Sequence, residues 1–442
     1  MPSQSIFCNV PWTNVHIYHD GTFGICCAEK TKLYDDLDQS FSLRNMTVQE
    51  WYRAKPVRDF RKEIHGSTEL SECAGCYRSE KRGFESKRYK ENFKTVIFTD
   101  PIHFEKSYSQ STGFNKFQQS LSNDGDTDLI PVDWHVDFGN ECNLACKMCR
   151  PLESSRIGVL YKKWGILPKG IPVIKDWTKD IDSWNNFMSS LEATPNLNRF
   201  HAMGGEPLMS KRFLNLIDYF IETGRNKKLS LSFVTNGTLI TDELVEKLKT
   251  FRSCDIEVSL ESFGSTNDYI RQGSDYKQLN ERINYLLTQC SDTFKLVMRV
   301  VPQLLNITSY HNYLRWCWDN KVAFESLPLY NPAYLRIQVL PVNIKNTLLG
   351  NYLLLKTDLE KALESKVIAL RGGRDSSKIE HTLLIEVNGI ITMLTETTAD
   401  NIEQDRIELI HWLKKWDDEF NLNALDYYPE FHDFLTEYGY GI

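Results

Sequence analysis

Residues 132–149 read VDWHVDFGNECNLACKMC, in which a short apolar run leads directly into three cysteines spaced C-x3-C-x2-C. Three thiolates this close together can hold one face of an iron–sulfur cube. Because a 4Fe–4S cluster normally takes four thiolates, one iron would stay open to another ligand. A structural zinc knuckle is the alternative, and three cysteines without an adjacent histidine suit it poorly. The stretch therefore predicts a strand that ends at a chemically active cluster.

The sequence after Pro131 alternates short apolar runs with amphipathic segments of helical length. It predicts six strands, at residues 132–138, 199–203, 229–235, 255–260, 295–301 and 322–328. Helices are predicted between them, at residues 211–222, 241–248, 276–290 and 308–319. Six strand–helix units imply a parallel sheet with crossover helices, two units short of a closed eight-fold barrel. We therefore predict the α/β class and a partial (β/α)6 TIM-like barrel.

Short polar motifs follow the second, third and fourth predicted strands. They are MGGEPL at residues 203–208, TNG at 235–237 and SLES at 259–262, with Arg271 shortly after the last. Adjacent glycines let the backbone approach a ligand closely, and the carboxylate of Glu206 can pair with an ammonium group. All the motifs end strands of the predicted barrel, so a site is expected at the mouth formed by the carboxyl ends of the strands.

The order of these motifs behind the cysteine loop resembles the radical S-adenosylmethionine (SAM) superfamily. The resemblance implies a 4Fe–4S cluster on Cys142, Cys146 and Cys149, whose open iron binds the amino and carboxylate groups of SAM. It also implies that nine residues contact SAM: Met148, Gly204, Gly205, Glu206, Pro207, Asn236, Ser259, Glu261 and Arg271. Two of these depart from the usual pattern. Glu261 replaces the Asp of a Ser-x-Asp segment, and Met148 stands where an aromatic residue is common, although a thioether can also cover a base face.

A second cysteine group lies near the N-terminus, where Cys8 and Cys26 form the pattern C-x12-G-x4-C and Cys73 and Cys76 form C-x2-C. Residues 16–26 predict two strands joined by an Asp-Gly turn. Four thiolates in this layout can hold either a closed iron–sulfur cluster or a structural zinc ion. Three nearby histidines are interpreted as ordinary surface or turn residues: His16, His19 and His65.

The layout of this N-terminal group is similar to the SPASM/twitch auxiliary-cluster domains of radical SAM enzymes, and residues 45–51 (NMTVQEW) resemble their N-x4-E-W segment. The resemblance implies the shorter, twitch-type form, with one auxiliary 4Fe–4S cluster on the four cysteines. Cys27 is an alternative ligand to Cys26, although the glycine spacing favours Cys26. Such domains usually follow the barrel, whereas this one precedes it.

Four regions are expected along the chain. They are a small Cys-rich α+β auxiliary-cluster domain, a linker, the partial barrel and a mixed, mainly helical C-terminal extension, at residues 1–100, 101–130, 131–335 and 336–442. Within the extension, residues 346–365 and 404–420 predict helices and residues 382–394 predict a hairpin. Three isolated cysteines are expected to be buried core residues: Cys254, Cys290 and Cys317.

Composition narrows the class of protein. The 442 residues carry a net charge of −7, which argues against a general coat for nucleic acid or anionic membranes. No stretch approaches the roughly 20 apolar residues of a membrane span, and the N-terminus lacks the basic and apolar segments of a secretory signal. We therefore expect a cytoplasmic protein without a membrane partner and with nucleic acid disfavoured as a partner.

The resemblance implies an enzyme that cleaves SAM reductively and uses the 5′-deoxyadenosyl radical to abstract hydrogen from a substrate. The leading hypothesis is an oxidoreductase that oxidatively modifies a peptide or protein side chain. One alternative is oxidation or rearrangement of a small molecule such as an alcohol, sugar or amino acid. Another is a non-catalytic iron–sulfur or zinc binding module. A reducing protein such as flavodoxin or ferredoxin is the expected electron donor. No general acid or base is identifiable from the sequence.

Overall fold

The computed structural model describes residues 8–26, 33, 40–64, 68–94, 119–369, 378–396 and 401–441. Within them the strands are β1 (Asn14–Ile17), β2 (Phe23–Gly24), β3 (Asp133–Asp137), β4 (Ala145–Cys146), β5 (Arg199–Met203), β6 (Ser230–Thr235), β7 (Ser253–Ser259), β8 (Arg271–Gln272), β9 (Phe294–Val300) and β10 (Ala323–Ser326). Eight of these strands form one sheet in the order β10-β9-β7-β6-β5-β3-β1-β2, and β4 pairs separately with β8.

The centre of the sheet is the predicted partial barrel. Strands β3, β5, β6, β7, β9 and β10 each run parallel to their neighbours in the series. All six match predicted strands to within two residues at either end. The α/β class and the partial barrel of six strand–helix units are therefore confirmed.

Helices connect these strands and extend the chain at both ends. They are α1 (Val10–Thr13), α2 (Val48–Tyr52), α3 (Lys55–Glu63), α4 (Ala74–Lys81), α5 (Lys87–Lys94), α6 (Ser155–Lys163), α7 (Ile181–Glu192), α8 (Lys211–Glu222), α9 (Asp242–Leu248), α10 (Ser265–Ile270), α11 (Tyr276–Gln289), α12 (Ile307–Asp319), α13 (Val342–Ala369), α14 (Lys378–Thr395), α15 (Ile402–Phe420), α16 (Ala424–Tyr427) and α17 (His432–Glu437). The four helices predicted between the strands are α8, α9, α11 and α12. Across the described residues, no helix is both long and apolar enough to cross a membrane.

The two faces of the sheet differ in polarity. On one face Phe200 packs edge to face on Phe220 of α8, and Trp134 packs in the same way on Phe187 of α7. Side chains alternate across a strand, so the neighbours of these aromatic residues point to the opposite face. There the strands carry histidine, serine and charged residues, which therefore line the interior of the partial barrel.

The N-terminal hairpin is part of this sheet. Strand β1 pairs antiparallel with β2, as predicted, and pairs parallel with β3, so that His16 lies opposite His135. The second pairing is not predictable from the local sequence. The pairing of β1 with β3 places a segment of the expected N-terminal domain along the β3 edge of the barrel sheet. The division of the chain into four regions stays a prediction.

The C-terminal extension is helical throughout its described part. Helices α13 and α15 contain the predicted helical segments, whereas α14 spans residues 382–394, where a hairpin was expected. That prediction was wrong. Leu383, Val387, Ile390 and Leu394 recur at helical spacing, and all four are buried. Burial of this single helical face outweighs the local strand propensity.

Candidate active site

The three cysteines of the C-x3-C-x2-C motif lie in the loop that follows β3. Cys146 is buried, and Cys142 and Cys149 are half-buried. Pairing of β4 with β8 places Cys146 directly opposite Arg271. The guanidinium of Arg271 then reaches the sulfur, with Nη1 3.3 Å from Cys146 Sγ. The loop is thus fixed by backbone pairing, and its central thiol faces a cation.

The three thiols differ in acidity. The pKa of Cys146 is lowered to about 6 by a hydrogen bond from Cys149 and by the charge of Arg271. Burial of the thiol opposes this lowering. Burial and the neighbouring Cys146 raise the pKa of Cys142 to about 11. The hydrogen bond to Cys146, together with burial, raises the pKa of Cys149. Cys146 therefore ionises first, and the thiolate is the form that binds metal.

Gly204 and Gly205 pack the second motif against the start of the cysteine loop. Gly205 N donates to Gly139 O over 3.0 Å. A Cβ on Gly205 would lie 2.2 Å from Glu141 O, and one on Gly204 would lie 2.6 Å from Gly139 O. The close backbone approach that the glycines permit is therefore to the cysteine loop itself.

The carboxylate of Glu206 is buried at the centre of this edge of the barrel. Its Oε1 accepts hydrogen bonds from Thr235 Oγ1 (2.8 Å) and Leu208 N (3.1 Å), and its Oε2 accepts one from Asn236 N (2.7 Å). Burial raises the pKa of Glu206, and these hydrogen bonds oppose that effect. Each carboxylate oxygen has two lone pairs, so Oε2 retains room for one more donor.

Asn236 links the end of β6 to the cysteine loop. Its side-chain Nδ2 donates to Asn143 Oδ1 over 2.7 Å, and its Oδ1 accepts from the backbone of Thr238. Asn143 in turn donates to the hydroxyl of Thr238. The loop that holds the cysteines is therefore tied to the TNG motif by side-chain amides on both sides.

Glu261 and Arg271 form a buried ion pair beside Cys146. Glu261 Oε1 lies 3.4 Å from Arg271 Nη2, and Oε2 accepts from Val301 N and Asn306 Nδ2. Burial raises the pKa of Glu261 to about 7, with Arg271 opposing the rise. The guanidinium Nε of Arg271 is buried without a hydrogen-bond partner among the described residues. Within the described part of the chain, this donor of Arg271 is therefore left without an acceptor.

The remaining predicted SAM contacts also lie at the carboxyl edge of the strands. Ser259 is the last residue of β7 and is buried. Pro207 begins a short 3-10 turn that Glu206 caps. Met148 is half-buried and packs against the main core.

The four N-terminal cysteines line a single pocket. Cys8, Cys26, Cys73 and Cys76 all contribute to its lining. Cys27, the alternative ligand, lies outside the described residues. Within those residues, no three of the four sulfur atoms lie within 4.8 Å of one another, since His16, His135 and Asp137 form the one such group of metal-ligating side chains.

The acidity of these thiols reflects their burial. Burial raises the pKa of Cys8 and Cys76 and raises the pKa of Cys73 to about 12, while the charge of Arg88 opposes the rise in all three. A thiol with a raised pKa stays protonated at neutral pH unless a metal binds its sulfur and displaces the proton. The pocket is therefore suited to a cationic metal centre and poorly suited to free thiolates.

Comparison with known families identifies the central part of the chain. Residues 136–301 match the family described as the Radical SAM superfamily. These residues form a radical SAM domain. The match begins inside β3 and ends just after β9, so it contains the cysteine loop and every predicted SAM contact.

The chain resembles solved structures only distantly. Streptococcus suis SuiB bound to S-adenosylmethionine is 15% identical, with a TM-score of 0.35, covering 60% of this chain and 52% of that one. Native anSMEcpe with bound AdoMet and Kp18Cys peptide is 17% identical, with a TM-score of 0.36, covering 52% of this chain and 60% of that one. The chain thus spans about half of the SuiB structure. A search of curated proteins finds no match.

Three histidine side chains that the sequence did not group together lie side by side in the interior of the radical SAM barrel. The ring of His16 stacks on His135 at 4.5 Å, and His135 contacts the ring of His201 at 4.4 Å. The interpretation of His16 as a surface or turn residue was wrong, because pairing of β1 with β3 buries it within a strand. His19 lies in a turn, as interpreted, although its side chain is buried. His65 lies outside the described residues. The available signal was His135, a polar residue between two apolar residues of a strand.

The three isolated cysteines differ in their exposure to solvent. Cys254 and Cys317 are buried in the core, as expected. Cys290 is exposed, so its assignment to the core was wrong. It follows the last residue of α11, where the amphipathic pattern of the helix no longer determines which side chains face inward.

Proposed function

We propose that the protein is a radical SAM oxidoreductase that oxidatively modifies a peptide or protein side chain. In this proposal SAM is cleaved reductively to methionine and a 5′-deoxyadenosyl radical, which abstracts hydrogen from the substrate. The observation that supports the SAM chemistry is the position of Arg271, which bridges Cys146 and Glu261 at the edge of the barrel where Glu206 and Asn236 also contact the cysteine loop.

The donor set of the loop fits a 4Fe–4S cluster with one open iron. Cys142, Cys146 and Cys149 offer three thiols, and the lowered pKa of Cys146 favours the thiolate. When bound, such a cluster supplies the electron for the cleavage of SAM. Arg271 keeps the cysteine loop in register through the pairing of β4 with β8.

Two buried groups of the chain fit the charged ends of SAM. The remaining lone pair of Glu206 Oε2 suits the ammonium group, and the unpartnered Nε of Arg271 suits the carboxylate. Asn236 donates to the Glu206 carboxylate through its backbone N and to Asn143 of the cysteine loop through its side chain. These two hydrogen bonds fix the position of the Glu206 carboxylate relative to the loop. Met148, Ser259 and Glu261 are proposed to contact the rest of SAM, as the family resemblance implies.

We further propose an auxiliary 4Fe–4S cluster on Cys8, Cys26, Cys73 and Cys76. A tetrahedral zinc with Zn–S bonds of about 2.3 Å would hold its sulfurs about 3.8 Å apart. No three of these sulfurs lie within 4.8 Å of one another, and the spacing favours a larger group. Such a cluster can accept an electron from a substrate radical, which would make the overall reaction an oxidation.

Metal analysis tests both clusters together. After anaerobic reconstitution we expect about eight irons and eight sulfides per chain, four for each cluster. Replacing Cys73 and Cys76 by Ala should remove about half of the iron and leave the remainder bound at the radical SAM site. Zinc in the N-terminal pocket, or about four irons in the unaltered chain, would reject the auxiliary cluster.

Formation of 5′-deoxyadenosine tests the radical chemistry. With dithionite, or with reduced flavodoxin or ferredoxin as the proposed physiological donor, the reconstituted protein should convert SAM to 5′-deoxyadenosine. Cys146→Ala should abolish this product. Cys290→Ala is the matched control, since Cys290 is exposed and lies outside both cysteine groups. Equal turnover by Cys146→Ala would refute the proposal.

The substrate is tested by isotope transfer. A peptide substrate, deuterated at its side chains, should transfer deuterium into 5′-deoxyadenosine and lose it from one residue. Transfer from a small alcohol, sugar or amino acid instead would favour the small-molecule alternative. We also propose the cytoplasm as the location, since its reducing environment keeps cysteine thiols free to bind clusters.

A further inference from the structure

Three metal-ligating side chains meet inside the barrel, separate from both groups of cysteines. His16 lies on β1, and His135 and Asp137 lie on β3. One ligand atom of each lies within 4.8 Å of the others. His16 Nε2 is 3.1 Å from Asp137 Oδ2. Across the described residues, no other group of three His, Cys, Asp or Glu side chains is this compact.

Strand pairing fixes this group in place. His16 and His135 are directly opposite each other in the parallel ladder between β1 and β3. Asp137 follows His135 by two residues and so points to the same face of the sheet. The ring of His16 is stacked between Tyr18 (4.1 Å) and His135 (4.5 Å). The side chains are therefore held in position before any ligand arrives.

The chemistry of the group is that of a metal site. Both histidines are almost fully buried, at 4% and 7% exposure. The side chain of Asp137 beside them is 14% exposed. Two imidazoles and one carboxylate are a common ligand set for divalent iron and related ions, and three protein ligands leave positions open.

We propose that His16, His135 and Asp137 bind one divalent first-row transition-metal ion. The open coordination positions face the barrel interior and would take an oxygen or nitrogen donor of a substrate, such as a carboxylate, an amide carbonyl or a hydroxyl. The neighbouring His201 is outside the ligand group and is instead 2.6 Å from the hydroxyl of Ser232.

The site adjoins the predicted SAM site. His135 Nε2 lies 2.8 Å from Met203 Sδ, and Met203 immediately precedes the two glycines of the SAM motif. A substrate held by the metal would thus lie beside the position of SAM. Metal binding stands independently of the proposed function, whereas this substrate-anchoring role rests on it.

Manganese and zinc titrations test the site in the reconstituted holoprotein, where the cysteines are occupied by clusters. Mn²⁺ suits carboxylate ligands and binds thiolates weakly, so loss of the free Mn²⁺ signal in electron paramagnetic resonance reports this site. We expect one Mn²⁺ per chain, displaced by one Zn²⁺. Asp137→Asn and His135→Gln should each weaken Mn²⁺ binding by at least about tenfold.

The control is His201→Gln, which alters the same stack of rings outside the proposed ligand set and should still bind one Mn²⁺. Iron content and circular dichroism verify that each variant is folded. The proposal is overturned if the unaltered holoprotein binds neither ion stoichiometrically, if both ligand variants bind like it, or if His201→Gln loses the ion. Because the readout does not involve SAM, a chain that binds Mn²⁺ but forms no 5′-deoxyadenosine rejects the proposed function and leaves the metal site intact.

Discussion

Arg271 joins the cysteine loop to the buried carboxylate of Glu261. It contacts a sulfur on one side and a carboxylate on the other, and Glu261, its carboxylate partner, is only 1% exposed. Removing one member of a buried ion pair leaves the other charge without compensation, which is more harmful than removing both. The arginine is therefore structural as well as suited to ligand binding.

We predict that Arg271→Gln lowers the free energy of unfolding by about 3 kcal/mol, because Glu261 then stays buried without its counter-charge. The double variant Arg271→Gln/Glu261→Gln should be more stable than the single variant. Urea unfolding at pH 8 under argon measures both. Arg53→Gln is the control: Arg53 is exposed, and its substitution should cost no more than about 0.5 kcal/mol. A double variant less stable than Arg271→Gln would contradict the buried-pair explanation.

Gly205 offers a second test at the scale of a single atom. A Cβ there would lie 2.2 Å from Glu141 O, so Gly205→Ala must displace the start of the cysteine loop. We predict loss of stability of about 1–3 kcal/mol and a reduced iron content after reconstitution. In Gly350→Ala, on an exposed turn of α13 with no atom within 4 Å of the new Cβ, we expect a gain of about 1 kcal/mol. Equal behaviour of the two variants would show that the close contact is unimportant.

Single residues were predictable where a motif stands directly behind a strand. The positions of Cys142, Cys146, Cys149 and Glu206 follow from this rule. Arg271 lies twelve residues after the end of β7 and was named only from the family resemblance. The partners of Glu206 were not predictable, because Thr235 and Asn236 approach it only through the pairing of β5 with β6. The burial of His16 was not predictable for the same reason, since it depends on pairing with a strand more than 100 residues away.

Among the elements, α14 shows how a local signal can mislead. Asn388-Gly389 is a typical two-residue hairpin turn, and β-branched residues surround it. In the structure Gly389 lies inside the helix, where a Cβ would be 2.5 Å from the ring of Phe84. The glycine serves the packing of α14 against the N-terminal region, a contact that no window of local sequence contains.

Glu386 connects α14 to the barrel and gives this contact a pH dependence. The buried carboxylate accepts hydrogen bonds from Tyr310 Oη of α12 and Ser326 Oγ of β10, at 2.7 and 2.6 Å. Burial raises its pKa in the folded protein, and the two hydroxyls oppose the rise. The folded state therefore holds the proton more tightly than the unfolded state, and stability from this group falls as the pH rises through the folded pKa.

We predict that Glu386→Gln becomes more stable relative to the unaltered protein as the pH is raised from 5 to 8, because the amide cannot ionise. Urea unfolding at both pH values measures the difference. Glu364→Gln is the matched control, since Glu364 is exposed on α13 and its effect should be the same at both values. A difference for Glu386→Gln that does not change with pH would rule out ionisation of this buried group.

At the scale of the whole molecule, the N-terminal region, the barrel and the C-terminal helices are joined by paired charges. Arg199 of β5 binds Glu91 of α5, and Lys90 binds Glu325 of β10. Arg82, which follows α4, forms two hydrogen bonds with Glu396 after α14. Composition and periodicity predict separate regions along the chain, but contacts between residues 108 to 314 positions apart leave no pattern in the sequence.

The Arg82–Glu396 pair tests whether these regions unfold as one unit. Both side chains are about a quarter exposed, at 23% and 26%, and the pair is bidentate. A double-mutant cycle with Arg82→Gln and Glu396→Gln should therefore give a coupling free energy of about 1 kcal/mol, the upper end for such pairs. It should be measured on the urea transition of the barrel, reported by bleaching of the radical SAM cluster in a variant that lacks Cys73 and Cys76.

The local pair Lys55–Asp59 within α3 is the control, for which about 0.3–0.5 kcal/mol is expected. If the N-terminal region and the C-terminal helices unfolded before the barrel, the Arg82–Glu396 coupling would vanish from this transition, because the pair would already be broken when the barrel unfolds.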